Sequence, residues 1–311
     1  MSTTPEVLIV GSMALDTVEA PGGSVTDALG GAVTFASFAC SFFARPSPIC
    51  VVGEDFPEEY VALLASHGAD TSAIQRMAGK TFRWKARYLE DYDQRETLDT
   101  QCNVFDDFRP VLNDEQRKAK YIFLANIHPS LQLSVLDQME RPLVVGSDTM
   151  NLWIETEPAQ VAEVITRSDI LFVNESEAMA LCGTRQLRKA GEELSNMGAR
   201  CVVIKAGSHG AFVYCEGDIF LCPAYPVEKV VDPTGAGDAF AGAVMGFLAK
   251  EGNTEWATIR KAVVMGTVVA SFTVEDFSVK ALESLTAEGI LHRCRQLAEM
   301  AGFGDVGFVR A

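Results

Sequence analysis

Basic residues are scarce in this chain: 26 Lys and Arg stand against 42 Asp and Glu, a formal charge of −16 at pH 7. A field of that sign repels nucleic-acid backbones and anionic membranes, so neither is expected as a partner. A phosphate-bearing ligand would need local help from backbone N–H groups, a metal or a few placed cations. No C-x-x-C pair occurs among the eight cysteines (40, 50, 102, 182, 201, 215, 222 and 294), and several lie in apolar runs. Such scatter suits reduced thiols buried as small hydrophobes in a cytoplasmic protein, not a zinc or redox site. The opening MSTTPEVLIVGS has no basic segment and no long apolar run, so no secretory leader is expected. The longest apolar stretch, AVTFASFACSFFA from Ala32 to Ala44, is interrupted by Thr and Ser and is too short to cross a bilayer. It reads as a buried helix. Repeats, low-complexity tracts and Pro/Ser-rich linkers are also missing, which leaves no natural boundary between domains.

What is present is alternation. Short β-branched or apolar runs recur at Val7–Val10, Ile49–Val52, Tyr121–Ala125, Leu143–Val145, Ile170–Val173 and Cys201–Lys205, with helical stretches between them. Each run reads as a buried strand, and the set predicts a mostly parallel, doubly wound α/β sheet. One stretch departs from the pattern. From Thr81 to Phe105 residues alternate in type around a polar centre, EDYDQ, which predicts an antiparallel hairpin. A hairpin inserted in an α/β chain is suited to act as a lid, and the segment Asp16–Leu29, with its PGG turn, could pair beside it. Residues 1–311 are therefore expected to form one domain, with lid segments at about 13–30 and 80–106. At 311 residues and 48% apolar content the chain can bury such a core without staples.

The stretch richest in chemistry is VVDPTGAGDAFAGAVMGFLAK, Val230–Lys250. Asp232-Pro233-Thr234 turns the chain, and Gly235-Ala236-Gly237 lets backbone approach a ligand closely. Phe240, Val244, Phe247 and Leu248 then mark the apolar face of a helix, with Gly242 and Gly246 permitting tight packing. Asp238 falls in or just before the first turn. Phosphoryl transfer asks for donors to hold charged oxygens and for an acceptor aimed at the incoming hydroxyl. A helix start supplies the donors, and a carboxylate placed there supplies the acceptor. The bland alternative is a glycine loop with Asp238 as an ordinary helix cap.

The full string D-P-T-G-A-G-D-A-F-A-G-A-V resembles the C-terminal motif of the PfkB carbohydrate kinases, the family of ribokinase and adenosine kinase. The resemblance implies a Rossmann-like αβα sandwich with a small β-sheet lid, Asp238 as catalytic base, and the amides of Gly235, Ala236 and Gly237 as anion hole. It extends over nearly the whole chain. VGSMALD, ending in Asp16, looks like the family's first strand and the Asp that holds substrate hydroxyls, and Gly30-Gly31 resembles the glycine pair that passes close to substrate. Four residues after that pair, ribokinase-like members usually carry Asn where this chain has Phe35, so a sugar-binding amide is missing. In the expected lid, Phe82 and Trp84 share a strand face and could cover a flat ring or a sugar face, or pack the lid on the core or on a second lid. Asn103 matches a lid-end Asn of the family, and Arg95 could reach substrate or phosphate, or remain a solvated turn residue.

On the nucleotide side, Asn174-Glu175-Ser176-Glu177 resembles the family's N-x-x-E, which orients magnesium, water and phosphates; the same residues form a helix-capping pattern. Lys205 and the turn containing Gly207 and Gly210 resemble the strand and G-x-x-G beside the nucleotide, with Thr234 close by and His209 as a surface turn residue. Gly266 and Ala270 would line the adenine pocket. ATP and Mg2+ are the implied cofactors, Mg2+ being held through water, Asn174 and Glu177. A monovalent cation near Asp232 is allowed, although VEDFSVK lacks the glycine that commonly follows in ribokinase.

The expected activity is ATP-dependent phosphorylation of an alcohol on a nucleoside or sugar, with Phe35 and the aromatic lid favouring a substrate with a flat apolar part. The rival reading is a silent nucleotide- or sugar-binding regulatory protein of the same fold, which the retained Asp238 disfavours. A dehydrogenase is disfavoured because GSMALD lacks the G-x-G-x-x-G of a pyrophosphate turn. A monomer or a homodimer formed through the lid fits equally.

Overall fold

The computed structural model describes residues 7–90, 92 and 95–302. Residues 1–6, where a leader was sought, and three residues of the hairpin's polar centre (91, 93 and 94) lie outside them. In chain order the strands are β1 (Val7–Val10), β2 (Ala14–Ala20), β3 (Gly23–Gly30), β4 (Pro46–Gly53), β5 (Ile74–Met77), β6 (Phe82–Tyr88) and β7 (Arg95–Gln101). They continue as β8 (Tyr121–Leu124), β9 (Val144–Asp148), β10 (Ile170–Asn174), β11 (Cys201–Lys205), β12 (Ala211–Cys215) and β13 (Asp218–Cys222). The helices are α1 (Ala32–Ser41), α2 (Glu58–Ser66), α3 (Pro129–Leu136), α4 (Asn151–Thr156), α5 (Pro158–Thr166) and α6 (Glu175–Cys182). After them come α7 (Leu187–Asn196), α8 (Ala236–Glu251), α9 (Trp256–Thr273), α10 (Lys280–Glu283) and α11 (Ala287–Met300).

Strands that are apolar at every position must be covered on both faces. In β1, Val7 and Ile9 pack into one core with α1, α8 and α9, while Leu8 and Val10 join a second core with α3 and α5. The result is an αβα sandwich around a nine-stranded sheet of order β13-β12-β11-β10-β9-β8-β1-β4-β5. Pairing is parallel from β11 to β5, and the β12–β13 hairpin closes the other edge antiparallel. The helices α1 and α8 approach closely because Gly242 and Gly246 face α1 backbone: a Cβ at either would stand 2.2 Å from Ala36 O or 2.8 Å from Cys40 O.

A second sheet of four strands, order β3-β2-β6-β7, forms the lid. It is mixed, since β2 and β6 run parallel while both outer pairs are antiparallel. Its base is fastened to the end of β4. Gly53 N–H donates to Thr81 Oγ1 (3.0 Å), and Asp55 Oδ1 accepts from both Thr81 N–H and Thr81 Oγ1 (2.7 Å each). All seven residues of the edge strand β7 are exposed.

One expectation needs correcting. Cys201 and Cys215, read as reduced thiols, are joined in a disulfide. The two residues are direct partners across the antiparallel β11–β12 ladder with Cα atoms 4.2 Å apart, a spacing that puts their sulfurs face to face. Of the other six cysteines, Cys40, Cys50, Cys222 and Cys294 are buried.

Candidate active site

The β11–β5 sheet presents the C-terminal ends of its parallel strands to the lid, the place where open α/β sheets bind ligands. β1 runs straight into β2 through Gly11–Met13, so Asp16 is carried from the core into the lid sheet. Gly31, at φ +90, caps α1, and a Cβ there would stand 2.5 Å from Ser12 O. Beneath Asp16 lies Gly30, whose missing Cβ leaves room for the carboxylate: that atom would fall 1.9 Å from Asp16 Oδ2. The Asp16 carboxyl is almost wholly buried. Burial first, opposed by the Gly31 N–H and reinforced by Asp232 and Asp238, raises its pKa to about 7.

Gly235 takes a left-handed conformation (φ +76) as the N-cap of α8, and Asp238 is the third residue of that helix. The Phe35 ring lies against the bare face of Gly235, with a Cβ there only 2.2 Å from two ring carbons. The Ala236 amide donates to Pro233 O at 3.2 Å, and the Thr234 amide to Asp232 Oδ1 at 2.9 Å. The Asp238 carboxyl is raised to about 7 by burial and then by the neighbouring Asp148 charge, against the pull of Lys205 and Arg95.

Asp16, Gly31, Phe82, Trp84, Arg95, Thr234, Gly235 and Asp238 all line one cavity of about 760 Å³. Phe35 lines it too. Phe82 lies 5.4 Å from Phe105 between ring centroids, and the Arg95 guanidinium stands 5.0 Å over the Trp84 ring. Opposite the lid, Asn126, His128, Met150 and Trp153 complete the wall. There Trp153 Nε1 donates to Asn126 Oδ1 at 3.0 Å, which fixes the indole plane.

A second group lies at the ends of β9, β10 and β11. Asn174 caps α6: its Oδ1 accepts from Glu177 N–H (2.9 Å), while its own N–H and Nδ2 donate to the two Glu177 oxygens (2.7 Å each). These bonds are the helix-capping reading of N-x-x-E, and neither residue lines the cavity described above. Lys205 Nζ donates to Asp148 Oδ2 at 2.5 Å and lies 3.2 Å from where a Gly237 Cβ would stand. Burial pushes the Glu177 carboxyl up to about 7, with Asp148 adding to the rise. For Lys205, burial works against the charge, but Asp148 and Glu177 outweigh it and the pKa ends above its usual value.

The remaining expected residues are placed differently. Asn103, at φ +51, donates from Nδ2 to Thr81 O (2.9 Å) at the foot of the lid and does not line the cavity. Gly207 and Gly210 form the turn from β11 to β12, with the exposed His209 between them; a Cβ at Gly210 would stand 2.0 Å from Cys222 O. Gly266 is packed against Phe240 and Val244 of α8, and Ala270 is half-buried one turn further along α9. Besides Asn126, His128, Met150 and Trp153 of the cavity wall, two residues beside it escape a reading of the sequence. Asp148 is one, and Tyr88 is the other: its Oη accepts from Thr234 Oγ1 at 3.3 Å, linking lid to helix start. Tyr88 shares the alternation of Phe82 and Trp84, a signal that was available.

The pattern of the pfkB family carbohydrate kinases matches residues 6–285. The chain belongs to this family. A cytidine kinase of Thermococcus kodakarensis is 32% identical over 250 residues, covering 78% of this chain and 87% of its own. Among solved structures, the nucleoside kinase of Methanocaldococcus jannaschii superimposes with a TM-score of 0.75 at 19% identity, over 95% of this chain and 100% of its own. The aminoimidazole riboside kinase of Salmonella enterica, solved with aminoimidazole riboside and an ATP analog, gives a TM-score of 0.73 at 19% identity, over 93% and 99% of the two chains. This kinase therefore has the ribokinase-like fold and acts on a nucleoside or a sugar, and its family implies ATP and Mg2+. Among the described residues, no helix is long and apolar enough to cross a membrane.

Proposed function

We propose that this kinase transfers the γ-phosphoryl group of ATP to the primary hydroxymethyl of a nucleoside, with Asp238 taking the hydroxyl proton. The observation that carries this reading is the presence of Asp238, at the start of α8, on the wall of the same cavity as the buried Asp16 and the aromatic face of the lid. Asp16 can accept two hydroxyl hydrogen bonds at once, which suits a sugar diol. Phe82 and Trp84 on one side and Trp153 and Met150 on the other offer flat apolar surfaces to a heterocycle. The cytidine kinase and nucleoside kinase relatives support the same substrate class.

In the transfer, the acceptor oxygen bonds to phosphorus as the bond from phosphorus to the β-phosphate oxygen breaks, and ADP leaves. Asp238 orients the hydroxyl and receives its proton as the new bond forms; a carboxylate is too weak to remove that proton beforehand. Amides of Gly235, Ala236 and Gly237 hold the phosphoryl oxygens, Ala236 by exchanging its long bond to Pro233. Lys205, partly buried, adds an ammonium beside them.

The donor set suits magnesium. Asp148, Glu177 and Asp238 set three carboxyl groups around the single Lys205 ammonium, a surplus of hard oxygen donors. Among the described residues, no three His, Cys, Asp or Glu side chains converge as a metal cage, so the ion would keep waters and be held through them by Asn174 and Glu177. When bound, it neutralises phosphate charge. Replacing Asp238 by Asn keeps the shape and removes the acceptor. Turnover, followed by ADP release, is expected to fall by about 10³-fold or more while an unreactive ATP analogue still binds. Unchanged turnover would refute the role. A screen across nucleosides, ribose, fructose derivatives and inositol tests the substrate class, and turnover confined to a plain sugar would overturn the nucleoside reading. A silent regulatory protein of the same fold would show no turnover with any of them.

A further inference from the structure

A cation at the N-terminal end of a helix meets the positive end of its dipole, and burial disfavours its charge as well. Lys205 is set in that unfavourable place, its ammonium beneath Gly237 in the first turn of α8. What holds it there is Asp148, buried to 4% exposure and 2.5 Å away. The other Asp148 oxygen accepts from the Thr149 amide at 2.8 Å, so the carboxylate is fixed in orientation. Two residues earlier on the same strand, Gly146 lets β9 lie close under α8: a Cβ there would stand 2.7 Å from Met245 Sδ. The strand end, the lysine and the helix start are thereby packed as one unit.

We propose that Asp148 is a positioning residue that holds Lys205 at the start of α8 in the nucleotide-free protein and yields the ammonium to the phosphoryl oxygens during transfer. This rests on the reading that phosphorus changes partners in front of Gly235–Gly237. Asp148 forms no bond to substrate, and the acceptor proton still passes to Asp238; the carboxylate only exchanges its ionic partner. Its removal has a specific consequence. The counter-ions left around Lys205 are Glu177 and Asp238. An ammonium drawn to Asp238 occupies the oxygen that must take the proton and leaves the phosphoryl group without its cation.

The test uses Asp148→Asn, Lys205→Gln and the double variant of the full chain, assayed with ATP and the acceptor the unmodified enzyme turns over best, with a thermal unfolding curve for each. In Asp148→Asn, kcat is expected to fall about tenfold to a hundredfold. KM for either substrate should stay within about threefold, because ground-state binding is not what is lost. The double variant should be no slower than Lys205→Gln, since a residue acting only through Lys205 has nothing left to position. Unchanged kcat in a folded Asp148→Asn enzyme would overturn the proposal, as would losses that multiply in the double variant. If the unpaired ammonium keeps Asp148→Asn from folding, the double variant decides the matter, because two amides replace the ion pair. Failure of the phosphoryl-transfer reading looks different: it would appear as full activity in Asp238→Asn or as an unmodified enzyme without turnover.

Discussion

Gly235→Ala probes the loop on which the chemistry depends, and its cost can be worked from two features. The residue sits at φ +76, where a side chain costs about 1–2 kcal/mol. Its new methyl would also stand 2.2 Å from two carbons of the Phe35 ring, and Phe35 is only 2% exposed, so the ring has little room to retreat. Overpacking of that kind costs about 1–3 kcal/mol, for a sum of roughly 2–5 kcal/mol. At roughly 2.1 cal/mol/K per residue, 311 residues give an unfolding entropy of about 0.65 kcal/mol/K. The expected fall in Tm is therefore roughly 3–8 °C. Activity should suffer more than stability, since the same methyl shifts amides proposed to hold the phosphoryl oxygens, and one such donor is worth about 10²–10³ in kcat. Thermal unfolding and a coupled ADP assay on one preparation read both quantities. A variant with the parent's Tm and the parent's kcat would show that Phe35 does not confine this loop.

Proton linkage gives activity and stability opposite pH slopes. Asp238 must be ionised to take a proton, so kcat/KM should fall by about tenfold per pH unit below about pH 7. Asp16, Glu177 and Asp238 all have folded pKa values raised to about 7, so they contribute stability that is fully present below their unfolded values and lost as pH rises through 7. The paired carboxylates Glu19 and Asp55, whose pKa values are lowered, act in the opposite sense but only nearer pH 4. Tm should accordingly be higher at pH 6 than at pH 8, and the reverse order would contradict the burial assigned to the three raised groups. Gly30→Ala should act on the acceptor alone: its methyl displaces the Asp16 carboxylate, and losing a charged hydrogen bond raises the acceptor KM by about tenfold to a hundredfold. An equal rise in the KM for ATP would show the damage to be general.

Much of the sheet was legible because buried parallel strands are apolar at every position, and the runs at Val7–Val10 and Cys201–Lys205 coincide with β1 and β11. Misjudged strand ends have local causes. The run at Ile49–Val52 extends back through two prolines, and β4 begins at Pro46, because β5 pairs only with Cys50–Gly53 and the first half of β4 has no strand on that side to bond with. The apolar run at Leu143–Val145 stops short of Gly146-Ser147-Asp148. In the fold Gly146 is a packing residue beneath Met245, β9 continues to Asp148, and the strand's last residue lies in the site. A strand ended at Val145 leaves Asp148 outside the candidate residues. The β12–β13 hairpin has no strong signal of its own, since β13 is mostly exposed and follows a turn through Glu216 (φ +53) and Gly217 (φ +96). Phe35 stood out in the sequence where ribokinase-like members usually carry Asn, but only packing shows that its ring rests on Gly235.

Strand β6 links two distant tasks mechanically. Phe82 and Trp84 stand at one end, on the cavity wall; Tyr88 stands at the other, about 20 Å along, with its hydroxyl on Thr234. A strand is stiff along its length, so any displacement of Phe82 and Trp84 would carry Tyr88 with it and strain its bond to Thr234, the residue that precedes Gly235.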